Sequence, residues 1–102
     1  MTEPPVLAPI AAIIADAADA FGVTADAVLA RDRVLRARFA AVWVAREATN
    51  TSFSHLGRQM GGRDHTTAMH AWRRAEVLRA SDEAFRRSTD LLLADARRRA
   101  DG

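Results

Sequence analysis

Asp64, His65 and Thr66 are three consecutive polar residues with different hydrogen-bonding chemistries, and they follow directly on Gly61-Gly62-Arg63. A carboxylate accepts, an imidazole donates or accepts, and threonine sets a hydroxyl beside a methyl group. Together they could read the pattern of donors, acceptors and methyl groups on the edge of a base pair. Asp64 also suits a second task, capping a helix by accepting from the free amides of its first turn. Two adjacent glycines can take backbone angles closed to other residues. The stretch therefore predicts a tight turn feeding a capped helix. His65, Thr66 and Thr67 then project from its first turn, the part of a recognition helix that meets base edges when a helix-turn-helix lies in the major groove.

Other chemistries fit poorly. His65 and His70 are five residues apart, about 140° round a helix at 3.6 residues per turn, and the chain has no cysteine, so no metal site is expected. No serine stands in a nucleophile-elbow context, and no strand pattern exists to build one. A phosphate-binding loop of the Walker type ends in lysine, and this chain has none. The expectation is a non-enzyme with no cofactor and no bound nucleotide. The apolar run Val6 to Ile14 is interrupted by Pro9 and is too short to span a bilayer, and no basic region precedes it. A cytoplasmic, nucleoid-associated protein with no membrane partner is expected.

The reading head needs a scaffold, and the pattern supplies helices throughout. At 102 residues the chain has room for one modest core. Residues 1–8, with Pro4 and Pro5, are expected to be a disordered lead, and 9–99 a single domain. Pro9 suits a first helical turn. Ile10, Ile13, Ile14, Ala17 and Phe21 repeat at helical spacing, and Gly22 is a stop. Thr24 caps a short helix from Ala25 to Leu29. A third helix over Val34 to Thr49 sends Leu35, Phe39, Val42, Trp43 and Ala45 inward and leaves Arg36, Arg38 and Arg46 outward. Ser52 caps a fourth from Phe53 to Met60, in which Phe53, Leu56 and Met60 share a face and Gly57 marks a close helix approach. The recognition helix follows, with Met69, Trp72, Ala75, Val77 and Leu78 inward, so that the helix-turn-helix spans about 53 to 79. Ser81-Asp82-Glu83 opens a last helix with the stripe Phe85, Thr89, Leu92 and Ala96. Leu91 and Leu93 leave that stripe, either widening the buried face or offering a partner surface. Arg97-Arg98-Arg99 reads as a frayed basic end.

The net charge is only +2, but it is unevenly spread. Residues 1 to 30 carry Glu3, Asp16, Asp19 and Asp26 and no basic residue, a charge of −4. Residues 31 to 79 carry ten arginines against Asp32, Glu47, Asp64 and Glu76, a charge of +6, and the remainder is neutral. The basic charge surrounds the glycine turn, as expected of a phosphate-facing surface. All fifteen basic residues are arginine, which suits bidentate contact with phosphate and guanine. A compositional bias toward alanine and arginine accounts for this equally well.

Gly61-Gly62-Arg63-Asp64-His65-Thr66-Thr67, followed by a small apolar residue, Met69, His70, Ala71, one further residue and the basic pair Arg73-Arg74, resembles the signature of the C-terminal DNA-binding domain of the bacterial replication initiator DnaA. The similarity runs back through Arg46-Glu47-Ala48-Thr49-Asn50 and, more weakly, over nearly the whole chain. The resemblance implies an all-α helical bundle with a helix-turn-helix, Trp-repressor-like and of the DnaA C-terminal type. It implies base contacts from Asp64, His65 and Thr66, and a minor-groove contact from Arg31 or Arg33 in the loop before the third helix. Asp32 between those two is a departure, because a carboxylate in a narrow groove is repelled by the phosphates. It further implies phosphate contacts from Arg38, Arg46, Arg63, Thr67 and His70, and from Ser52, Phe53 and Ser54 at the start of the fourth helix.

The expected function is sequence-specific binding of double-stranded DNA at DnaA-box-like sites, by a monomer, in the control of replication initiation or transcription. Without an ATPase module such a domain would occupy boxes and not melt them. The alternative is an interaction module that modulates initiation through contacts with replication-initiation proteins and binds DNA weakly. A fragment of a full initiator is the third reading.

Overall fold

The computed structural model describes residues 8–29 and 35–101, all in helices or the turns between them. There are six helices among the described residues: α1 Ala8–Ala20, α2 Ala25–Leu29, α3 Leu35–Thr49, α4 Phe53–Gln59, α5 His65–Ser81 and α6 Glu83–Asp101. Most boundaries have a local cause. Gly22 ends α1 at φ 70°, and Thr24 Oγ1 accepts from the Ala27 amide to start α2. Asn50 ends α3 in the left-handed region at φ 56°, and Ser52 Oγ accepts from His55 N to start α4. Asp82 alone separates α5 from α6. Its amide donates to the Leu78 carbonyl, and its carboxylate accepts from the Phe85 amide. Residues 1–7 of the expected lead, and the loop with Arg31 and Arg33, lie outside the described residues.

The third helix is the centre of the bundle, packing against all five others. Ala40, Ala41, Val42, Trp43, Val44 and Ala45 are all buried, so it is enclosed on nearly every side. Alanine lets neighbouring helices approach closely, and the rest of the core comes from larger residues on those neighbours. These are Ile10, Ile13 and Ile14 of α1, Val28 of α2, Leu56 and Met60 at α4, and Phe85 and Leu92 of α6. The rings of Phe21 and Phe85 meet at a tilt of 51° with 5.9 Å between centroids, joining the end of α1 to α6.

Several expectations need correcting. Leu35 is 48% exposed, because α3 enters the packed layer only at Ala37. Val77 is 56% exposed: α5 seats itself through Ala68, Ala71 and Ala75, and Val77 lies about 200° from Ala75 round the helix. The arginines at 97–99 do not fray. The helix runs on to Asp101, Arg98 pairs with Asp95, and Arg99 pairs with Asp16 across to α1. Of the two leucines off the α6 stripe, Leu93 packs against the core and Leu91 stays exposed.

Candidate nucleic-acid interface

The turn between α4 and α5 is built from backbone contacts that only glycine permits. Gly61 and Gly62 sit at φ 90° and 75°, where other residues are strained. The Gly62 amide donates to the Arg58 carbonyl at 3.1 Å and the Arg63 amide to the Gly57 carbonyl at 2.7 Å, which folds the chain tightly back on α4. A β-carbon on Gly61 would stand 2.8 Å from the Leu29 carbonyl oxygen, so the turn also presses on the end of α2. Arg63 fastens this junction by donating to the carbonyls of Met60 and Leu29.

From that anchored turn α5 starts at a fixed point. The Asp64 carboxylate accepts from the Thr67 amide at 3.0 Å. That bond first, and the Thr67 hydroxyl second, hold the Asp64 carboxyl below its ordinary value, so it is ionised at neutral pH. Asp64, His65, Thr66 and Thr67 are all exposed. The side chains of His65 and Thr66 make no hydrogen bond among the described residues, and their donors and acceptors face solvent. Thr66, His70 and Arg73 lie within about 60° of one another round the helix, on the side away from the buried alanines, with Arg74 beside them. Arg73 and Arg74, and Arg58 of α4, are exposed cations that form no ion pair among the described residues. The basic pair was legible as part of the motif, but nothing in the sequence separated them from ordinary surface arginines. The helix phase does.

A closed ring of side chains sets α4 and α5 against α3. The Arg46 guanidinium lies 4.2 Å from the centre of the Phe53 ring, and one of its nitrogens donates to the Thr51 carbonyl. Phe53 meets Trp72 edge to face at 6.2 Å. Trp72 Nε1 donates back to Glu47, next to Arg46 on α3, at 3.2 Å. One turn earlier on α3, Trp43 Nε1 donates to Glu76 of α5 at 2.7 Å, with Arg79 stacked 4.0 Å over its ring. Each tryptophan is thus latched to a glutamate of the facing helix. Sequence reasoning assigned both rings to the core and missed the two glutamates.

The expected phosphate contacts are placed unevenly. Ser54 and His70 are exposed, Arg46 and Phe53 are half-buried, and Ser52 serves as the α4 cap. Arg38 does not stand where it was expected: it is only 8% exposed, and its Nε donates to the Val28 carbonyl at 2.8 Å. A residue three before the fully buried Ala41 cannot point outward from a helix enclosed on that side, so this guanidinium ties α3 to α2. Arg63 is likewise held in the turn. Arg31 and Arg33 fall outside the described residues.

Compared with known proteins, the chain matches the family described as the bacterial DnaA protein helix-turn-helix over residues 10–75. The chain belongs to this DnaA family. It is 49% identical over 59 residues to the chromosomal replication initiator protein DnaA of Caulobacter vibrioides strain NA1000, covering 58% of this chain and 12% of that one. It is 36% identical over 81 residues to the DnaA protein of Streptococcus pyogenes serotype M5, covering 76% of this chain and 18% of that one. The chain therefore spans less than a fifth of the length of these DnaA relatives. No solved structure matches it. Membership of the DnaA family makes α4 and α5 a DNA-binding helix-turn-helix in a non-catalytic domain, and α6 lies beyond the matched residues.

Proposed function

We propose that this domain binds double-stranded DNA sequence-specifically, at sites resembling the DnaA box, and that it acts in the control of replication initiation or of transcription. The observation that carries the reading is the pair His65 and Thr66, exposed on the first turn of a helix whose start is fixed by Asp64 and the glycine turn. Preorganised groups of this kind discriminate between bases because little ordering is needed on binding. Asp64, His65 and Thr66 read base edges in the major groove, and Arg31 or Arg33 reaches the adjacent minor groove. Arg46, Thr67, His70 and the start of α4 at Ser52, Phe53 and Ser54 hold phosphates, and Arg73 and Arg74 join them. The domain works as a monomer in the cytoplasm on the nucleoid.

A second reading has one observation in its favour. Arg38 and Arg63 are engaged within the fold, which thins the phosphate-facing set and suits an interaction module that contacts replication-initiation proteins. A salt-controlled titration with a duplex holding one DnaA box, against a shuffled duplex of equal composition, separates the two. Sequence-specific binding predicts a preference of at least about a thousandfold for the box. Equal affinity for both duplexes would overturn it.

A further inference from the structure

A second surface lies away from the helix-turn-helix, between α1 and α6. A cleft of about 360 Å³ is lined there by Asp16, Asp19, Ser88, Leu91, Leu92 and Asp95, with Ala20 at its edge. Leu91 is the most exposed large apolar side chain among the described residues, at 68%. No residue lining the cleft is basic. Asp16 and Asp95 are each paired with one arginine near the end of α6, whereas Asp19 has no ion pair among the described residues.

The position of Asp19 is unfavourable for the fold by itself. It sits in the last turn of α1, which holds no basic residue, and the negative pole of a helix dipole repels a carboxylate there. An unpaired carboxylate and an exposed leucine thus stand side by side on two helices that lie outside the helix-turn-helix. Sites that bind partners often keep such locally destabilising features.

We infer that the α1–α6 cleft docks a protein segment carrying a lysine or arginine within one helical turn of a large apolar side chain. The apolar residue covers Leu91 and fills the cleft. The cation lies against Asp19 and the carbonyl end of α1, where it relieves the repulsion. Because α4 and α5 are elsewhere, such a partner binds together with DNA, not in competition with it.

The test is a random twelve-residue peptide library displayed on phage, panned on the full chain and counter-selected on the double variant Asp19→Lys, Leu91→Gln. Enriched sequences are then synthesised and titrated by fluorescence anisotropy. The inference expects enriched peptides that combine a basic and a large apolar residue. They should weaken at least tenfold on either single variant and be unaffected by saturating duplex DNA. Asp19→Lys alone should raise the melting midpoint by about 2–5 °C through the helix dipole, which shows that the lost binding is not lost folding. Four results would overturn it: no enrichment over the double variant, acidic consensus sequences, displacement of the peptides by DNA, or a concentration-dependent dimer abolished by Leu91→Gln, which would make the occupant a second copy.

Discussion

A β-carbon on Gly57 would stand 2.3 Å from the carbonyl oxygen of Arg63, while the Arg63 amide donates to the Gly57 carbonyl at 2.7 Å. Two backbone segments therefore touch where no side chain fits. Alanine would gain about 1 kcal/mol in helix propensity over glycine, but it would have to drive rigid backbone apart, and the clash wins. Gly57→Ala should destabilise the domain by about 1–3 kcal/mol net, seen as a lower urea midpoint. A midpoint at or above that of the native chain would show that the turn yields easily.

His65 and Thr66 carry the sequence discrimination in the proposed function. Alanine at either should weaken binding to the cognate duplex by about 1–3 kcal/mol per lost base contact. Affinity for shuffled DNA should persist, and so should the melting temperature, because both side chains are exposed. If both variants keep their preference at fixed salt, these two residues are not the readers.

Arg38 and Arg73 should fail in opposite ways. Arg73→Ala, on the exposed side of α5, should weaken binding to all duplexes alike and reduce the slope of log affinity against log salt by about 1. Arg38→Met should leave that slope unchanged. It breaks the bond to the Val28 carbonyl and should cost about 1–3 kcal/mol of folding stability instead. A reversed pattern would mean that Arg38 leaves its buried place to meet DNA.

The Trp72 to Glu47 bond is a further lever on α5. Trp72→Phe keeps a ring against Phe53 but removes the donor, leaving a bare carboxylate beside the basic surface. A loss of about 0.5–1.5 kcal/mol in stability is expected, together with weaker DNA binding. Adding Glu47→Gln should restore much of the binding. Thermal melts and titrations on the two single variants and the double variant test this, and strictly additive effects would argue against the latch.

Acid should loosen the starts of both α5 and α6. Hydrogen bonds, chiefly from the amides of Thr67 and Phe85, hold the Asp64 and Asp82 carboxyls below the ordinary 3.8, with Arg36 also acting on Asp82. The folded chain thus binds fewer protons than the unfolded one in this range. The stabilisation is complete above the unfolded carboxylate value and is lost as pH falls through the lowered folded values. The melting temperature should be flat from neutral pH to about 5 with respect to these two groups, then decline. Asparagine caps a helix without ionising, so Asp64→Asn with Asp82→Asn should blunt the decline. An unchanged acid limb would assign it to other groups.

Much of this molecule was legible in the chain because its information is local. Gly22, Thr24, Ser52, Asp64 and the Phe85–Thr89–Leu92–Ala96 stripe act within a turn or two of backbone, so residue type and spacing were enough to place the helices and to single out the double-glycine turn. The capped start of α5 at Asp64 was legible for the same reason. What sequence could not supply was the phase of each helix against its neighbours. Arg38 and Arg73 are both helical arginines, yet one is enclosed and holds the Val28 carbonyl while the other is open to solvent. Leu91 and Leu92 adjoin, yet only Leu92 is buried. Glu47 and Glu76 look like surface acids until the tryptophans of the facing helix reach them. Those differences arise from contacts between residues ten to thirty-odd positions apart, which exist only once the helices have packed.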